Sequence, residues 1–252
     1  IAADLFVGAT FGPDDGIADP AGLTEGYATL ARRAGAEIRT GVEVLGVETA
    51  GGRVRGVTTS AGRVEAPVVL DAAGPWAGLV AATAGVDLPV EPVPRNVVTT
   101  GGFEGAPERH TLVIDAETTF YFHREGPGVL MGMGAADERP SFDATPDRRF
   151  VEEELLPRAV EVFPPLAAAG VASVWCGLYE MTPDRHPVIG RTPVEGFLVA
   201  AGFSGHGFQH APIVGKLLAE IVTTGEARTV DVSALSLDRF ARGELAVEAH
   251  VV

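Results

Sequence analysis

The 252-residue chain is 46% hydrophobic and 21% charged, enough to bury a substantial core in one large or two intimate domains. Its formal net charge is −15, and Lys216 is the only lysine among 19 basic residues, so no basic stripe is available for phosphates; nucleic acid and anionic membranes are not the expected partners. Cys176 is the only cysteine, which rules out an internal disulfide or a multi-cysteine zinc site and fits a reducing cytoplasm. The uncharged stretch 72–86 is short for a bilayer, and 196–215 is loaded with glycine, histidine, glutamine and proline, so neither predicts a membrane span. The opening "IAADLFVGATFGPDDG" has no basic segment followed by an apolar one and predicts no secretory signal.

Asp19-Pro20 reads as a helix start. Leu23, Tyr27, Leu30, Ala31 and Ala34 then give one apolar face at helical spacing, and Gly35 is available as the stop. Three β-rich runs follow, "VEVLGVET", "RVRGVTT" and "RVEAPVVLDAAG", separated by turn signals at Ala50-Gly51-Gly52 and Ser60-Ala61-Gly62. They predict a small meander whose last strand runs into "AAGPWAG", after which Pro75 starts an alanine-rich helix ending near Gly85.

From Pro89 the texture changes. "PVEPVPRNVV", "HTLVID", "TTFYFHR" and "GVLMGMG" predict successive strands. "PDRRFVEEELLPRAVEVF" predicts an amphipathic helix with Phe150, Leu155, Leu156 and Val162 inward and Glu152, Glu153 and Glu154 on a solvated face. "VASVWCGLYEMTPDRHPVIG" returns from this layer, and Phe197 to Ala201 form another short buried strand. Beyond the glycine-rich stretch, Ile213, Val214, Leu217, Leu218, Ile221 and Val222 recur at helical spacing, with Pro212 expected in or near the first turn.

"GFSGHGFQHAP" is thus a strand-to-helix turn bared by Gly202, Gly205 and Gly207. Such a turn lets the backbone approach a ligand and aims the free N–H groups of the first helical turn at it; the competing reading is a plain tight connection. Its spacing is not the G-x-G-x-x-G dinucleotide fingerprint, which occurs nowhere in the chain. Ala72-Ala73-Gly74-Pro75-Trp76 is a second bare turn of the same kind, so one ligand could span both, or Gly74 could simply allow close packing with Trp76 in the core. His206 and His210 lack a third ligand in any recognisable pattern, so no metal is expected.

The motifs "DDGIADPAGL", "GGRVRGVTTSAGRVEAPVVLDAAGPWA", "FYFHREG", "GLYEMTPDRHPVIG" and "GFLVAAGFSGHGFQHAPIVGKLLAEIV" together resemble the FAD-dependent D-amino acid oxidase superfamily. The likeness is greatest to the group of sarcosine oxidase, glycine oxidase, dimethylglycine dehydrogenase and the proline dehydrogenase β-subunit. It implies an α/β (α+β overall) fold: a glutathione-reductase-type FAD-binding layer with a three-stranded meander, carrying an inserted, mostly antiparallel substrate domain. The expected segments are 1–89 and 179–252 for the FAD-binding domain and 90–178 for the substrate domain. Relatives open with a strand, a G-x-G-x-x-G turn and a helix that hold the FAD pyrophosphate. This sequence shows no such unit, so the layer is expected to be incomplete, with the missing part supplied by upstream residues or by another chain of a hetero-oligomer.

By the same resemblance, Val44 lies in the meander on the adenine side, Ala73, Gly74 and Trp76 near the ribose and pyrophosphate, and Gly202, Phe203, Ser204, Gly205, His206, Gly207, Phe208 and Gln209 under the isoalloxazine ring. Tyr121 and Tyr179 match aromatic positions that face the substrate, where the alternative is a core tyrosine with a satisfied hydroxyl. His206 joins them as a catalytic candidate, and Arg124 and Gln209 as candidates for a substrate carboxylate. Gln209 stands where sarcosine oxidases keep a lysine, and Leu130 and Gly134 where that group carries lysine and histidine. A dehydrogenase is therefore expected in preference to an efficient oxidase. The position of covalent flavin attachment in some relatives falls on Gly177, one residue from Cys176, so FAD is expected to be non-covalent and Cys176 to be a small buried apolar residue. The implied reaction is hydride transfer to flavin from the carbon next to nitrogen in a small amine or amino acid, of the sarcosine, dimethylglycine, proline or D-amino acid class. Two alternatives remain open at this stage: a catalytically incomplete subunit, and a flavin-dependent step in RNA modification, which the acidic balance disfavours.

Overall fold

The computed structural model describes residues 1–246; residues 247–252, which end the expected third segment, lie outside the described residues. The chain divides into two units, Ile1–Asp19 with Pro94–Leu178, and Pro20–Val93 with the chain from Tyr179 onward. It is a mixed α/β protein with several antiparallel sheets.

In the second unit, α1 (Pro20–Arg33) starts at a proline whose fixed φ suits a first helical turn, and the chain leaves it through Gly35 at φ 94°. The helical spacing is as expected but its apolar face is uncovered: α1 buries no residue, with Tyr27 51% and Leu30 58% exposed. The meander is β1 (Val44–Ala50), β2 (Arg53–Thr59) and β3 (Gly62–Glu65), an antiparallel sheet in that order. Gly51 and Gly52, both at positive φ, make the tight turn from β1 to β2.

The third β-rich run is not one strand. It breaks at Ala66–Pro67, because proline has no N–H to continue the ladder, and Val69 then donates to the Gly196 carbonyl (2.9 Å) in a different sheet. That strand, β4 (Val69–Asp71), is followed by a 3₁₀ turn at Gly74–Trp76 and by α2 (Ala77–Thr83), which buries Ala77 and Ala81.

The first unit holds most of a five-stranded sheet built from β5 (Glu91–Thr100), β6 (Val113–Ile114), β7 (Tyr121–Glu125), β8 (Gly128–Gly132) and β9 (Val171–Met181), in the order β6-β7-β8-β5-β9; the first residues of β5 and the last of β9 belong to the second unit. β6–β7, β7–β8 and β8–β5 are antiparallel. The expected amphipathic helix runs over α3 (Arg148–Phe150), a π-helical stretch (Val151–Leu155) and α4 (Leu156–Val162). Asp147 caps it, accepting from the Phe150 N–H at 3.0 Å. Phe150, Leu155 and Val162 are buried with Phe120, Phe122 and Met131; Leu156 packs at the margin and Glu152 to Glu154 are exposed. Cys176 is half-buried rather than buried, like every residue of β9 from Cys176 to Met181, and burial raises its thiol pKa.

β10 (Val188–Arg191), β11 (Phe197–Ala201), α5 (Gly207–Thr224) and α6 (Asp238–Arg242) complete the second unit. The sheet order is β10-β11-β4, with β10–β11 antiparallel and β11–β4 parallel. β11 is apolar throughout because both of its faces are covered. Phe197, Val199 and Ala201 pack with Val47, Val54, Ala77 and Ala81, while Ala200 packs with Phe203, Val214 and Leu218 of the following turn and α5. The helix begins at Gly207, so Pro212 sits inside it, and the Phe208 carbonyl lacks the usual donor four residues on.

Candidate cofactor site at the ends of two parallel strands

Parallel pairing of β11 with β4, in the register Phe197 to Val69 and Val199 to Asp71, makes both strands end at the same edge of their sheet. The two glycine-bearing turns therefore leave that edge side by side. This is the position at which open α/β sheets bind ligands.

β4 ends on Asp71, which is 3% exposed. Its Oδ1 accepts from the Ala73 N–H (3.0 Å), while Oδ2 is buried with no hydrogen-bond partner among the described residues. Burial raises the carboxyl from 3.8 to about 6, against the opposing pull of the Ala73 N–H. Gly74 then turns the chain at φ 57°, and Trp76, whose N–H bonds the Ala73 carbonyl (3.1 Å), lies 51% exposed. The core placement considered for Trp76 is thus not what the fold gives; its turn projects from the end of the strand.

The second turn is more tightly built. Gly202 has φ 81°, and a Cβ there would stand 2.3 Å from Thr182 Cγ2, so no larger residue fits without displacing Thr182. Its N–H donates to Glu180 Oε2 (3.0 Å), and the Phe203 N–H also bonds the Glu180 carboxylate. Ser204 is fully buried and left-handed (φ 50°), held by its N–H on the Glu180 carbonyl (3.1 Å) and its hydroxyl on the Gly202 carbonyl (3.2 Å). The His206 N–H closes onto the Phe203 carbonyl (2.9 Å). His206 is the N-cap of α5, and its side chain makes no capping bond to the first turn of that helix. Phe203 is buried with Ile189 and Ala200, and Gly207 packs against it; Gly205, Phe208 and Gln209 are exposed.

Glu180 joins the two turns. It holds Gly202, and its Oε2 lies 3.8 Å from where a Cβ on Gly74 would be. Desolvation is the main cause that raises its pKa, the two backbone N–H groups work against it, and the charge of Asp71 raises it further. Sequence reading missed both carboxylates. The only signals were an acid at the end of the apolar run "PVVLD" and another between Tyr179 and Met181 in a strand.

The remaining predicted residues are distributed as follows. Val44 is exposed at the start of β1, and Tyr179 is half-buried in β9. Tyr121, Arg124 and Gly177 belong to the other unit. The Tyr121 hydroxyl sits over Gly132 of β8, 2.6 Å from where a Cβ would be, so only glycine there lets the ring lie in this way. Arg124 donates Nη1 to the Pro107 (3.3 Å) and Glu108 (3.1 Å) carbonyls and Nε to the Gly126 carbonyl (3.2 Å). Gly177 faces the Trp175 ring, with a built Cβ 3.3 Å from Cζ3. The His206 and His210 rings are 6.3 Å apart, and no group of three potential metal ligands occurs among the described residues.

Parallel strands ending together in bare turns, one of which opens a helix, define an α/β protein of the class in which ligands bind beyond the strand ends. The chain belongs to the FAD dependent oxidoreductase (DAO) family, whose profile matches residues 2–221. It is 31% identical over 244 residues to the sarcosine oxidase subunit beta of an Arthrobacter species, covering 97% of this chain and 59% of the relative. The crystal structure of L-proline dehydrogenase from P. horikoshii superimposes with a TM-score of 0.85 at 34% identity, over 92% of this chain and 63% of that one. Glycine oxidase from Geobacillus kaustophilus gives 0.75 at 28% identity, over 86% and 57%. The chain thus spans about three fifths of the length of each of these three relatives.

The residues present fit the family's cofactor. The start of α5, where the N-cap side chain makes no capping bond, suits an electron-rich ring edge, and the unpartnered Asp71 Oδ2 suits a hydroxyl or N–H donor. No helix among the described residues is long and apolar enough to cross a membrane.

Proposed function

We propose that this chain forms the larger part of a flavoenzyme that oxidises the carbon–nitrogen bond of a small amine or amino acid, of the sarcosine, dimethylglycine, proline or D-amino acid class. The observation that carries the reading is the pair of bare turns at one sheet edge, of which the second opens an 18-residue helix. The names of the relatives, a sarcosine oxidase subunit, a proline dehydrogenase and a glycine oxidase, support the substrate class. The fold-level counterpart is a glutathione-reductase-type FAD layer, in segments 1–89 and 179–252, that needs a G-x-G-x-x-G unit from upstream or from a partner chain, with 90–178 as the substrate domain.

Bound non-covalently, FAD would supply the hydride acceptor. Around it, the protein's own groups divide the work. The first N–H groups of α5 stabilise negative charge at the ring edge without reorganising, with His206 at the same cap. Gly202, Phe203, Ser204, Gly205, Gly207, Phe208 and Gln209 form the platform, Ala73, Gly74 and Trp76 the ribose and pyrophosphate side, and Val44 the meander side. Tyr121 and Tyr179 orient the amine, which must lose its proton to react, and Arg124 and Gln209 serve a substrate carboxylate. Lys216, the only lysine, is exposed on α5. With no lysine to assist oxygen, the electrons pass to an acceptor other than oxygen.

The test is anaerobic flavin bleaching of the complete polypeptide with sarcosine, dimethylglycine, proline and D-amino acids. Bleaching by one of them is expected, and none by any overturns the substrate class. Fast oxygen consumption with stoichiometric peroxide overturns the preference for a dehydrogenase. A second reading, a subunit that contributes part of an FAD site to a hetero-oligomer, draws on the uncovered apolar face of α1. Flavin absorbance of the purified chain with and without its upstream region separates the two.

A further inference from the structure

Arg239, in α6 and beyond the matched family region, is the bulkiest fully buried side chain of the described residues. Its guanidinium forks onto Asp184, Nε to Oδ2 at 2.7 Å and Nη2 to Oδ1 at 2.9 Å. It also donates to the His186 carbonyl (2.7 Å) and the Ser236 carbonyl (3.2 Å), and lies 4.2 Å from the Phe240 ring centroid. An apolar pair of similar volume could anchor a short helix as well as this ion pair does, so its polarity has to be explained by what it directs.

What it directs is Thr182. The Thr182 hydroxyl donates to the His186 carbonyl (2.7 Å), with Asp184 Oδ1 at 3.3 Å, so both groups that Arg239 holds also hold this side chain. Thr182 then reaches the cofactor turn twice. Its N–H donates to Ser204 Oγ (3.4 Å), and its Cγ2 fills the space beside Gly202 that a Cβ would occupy. The chain of contacts from α6 to the left-handed residues of the turn is buried: Arg239 2%, Asp184 1%, Thr182 5% and Ser204 0% exposed.

We propose that Arg239 is a positioning residue for the 202–207 turn, acting through Asp184 and Thr182 to fix the backbone path of Gly202 and Ser204. This rests on the reading that the turn carries the flavin ring. A planar fork sets the direction of both carboxylate oxygens, which lysine, a point charge on a flexible stem, does not.

Amide hydrogen exchange on the chain itself tests the proposal without any cofactor. In Arg239→Lys, the Gly202 and Ser204 amides should exchange about tenfold faster while the Leu198 and Ala200 amides of β11 change by less than about twofold. Thr182→Val, which keeps the methyl and the ion pair but loses the hydroxyl, should give the same local effect, and the double variant should be no worse than Arg239→Lys alone. A uniform rise across β10, β11 and the turn, or additive effects in the double variant, overturns it. Should Arg239→Lys not fold, Thr182→Val decides alone, and unchanged protection at Ser204 overturns it. FAD titration of the complete polypeptide keeps the two readings apart: a turn-confined exchange effect in a protein that binds no FAD leaves Arg239 in its role and removes the flavin assignment.

Discussion

Asp71 is a buried carboxyl with one unpartnered oxygen, and Asp71→Asn tests whether its ionisation is a cost that the fold carries. The folded protein holds this proton more tightly than the unfolded chain, 3.8 being the ordinary value and about 6 the folded one. Its contribution is therefore fully present below the unfolded value and is lost as pH rises through about 6. At 1.36 kcal/mol for each pH unit of difference, ionised Asp71 lowers the unfolding free energy by about 3 kcal/mol. Asparagine keeps an oxygen for the Ala73 N–H and has no proton to release. The stability of Asp71→Asn minus that of the parent should thus grow by about 3 kcal/mol between pH ~4 and pH ~7.5. Glu180 adds to this growth, because its raised pKa relaxes when the neighbouring charge is removed. Urea unfolding followed by circular dichroism at a series of pH values measures the difference directly. A difference that stays flat across that range refutes the claim that Asp71 is desolvated and unpaired.

Gly202→Ala places a Cβ 2.3 Å from Thr182 Cγ2 at a φ of 81°, so it should cost about 2 kcal/mol or more in urea unfolding and weaken FAD binding to the complete polypeptide; wild-type values for both would contradict the cradle. Glu180→Gln retains an oxygen for the Gly202 and Phe203 N–H groups but no charge. Because the Glu180 pKa is raised from 4.5, its contribution is present below that value and lost as pH rises, so Glu180→Gln should lose less stability than the parent on going from pH ~4 to pH ~8. A steeper loss in the variant would show that the charged form is the one the turn requires.

Much of this architecture is written in local residue order. The unbroken apolar run at Phe197–Ala201 announces a strand covered on both faces, the Gly51-Gly52 pair a tight hairpin, and the glycines from 202 to 207 a turn at a strand end. Each of these depends on φ preference or on the period of hydrophobicity along a few neighbouring residues. Where local signals misled, a nonlocal partner had intervened. After Pro67 the chain pairs from Val69 with Gly196 and the strand that follows it in another sheet, and α5 starts at Gly207, ahead of Pro212, directly after a turn whose Gly202 N–H is held by Glu180.

The sequence by itself therefore determined the two bare turns, the strand that feeds each, and the family likeness of their motifs. Only the tertiary structure decided that the turns lie side by side, because that follows from the parallel pairing of Val69–Asp71 with Phe197–Val199. It alone also decided that Glu180 and Asp71 matter. Along the chain they are two acids among many, and their chemistry comes from burial and from backbone N–H groups that distant segments bring to them. Arg239 is the extreme case: desolvation makes an arginine near the end of the described chain depend on a carboxylate 55 residues earlier, and no local pattern carries that pairing.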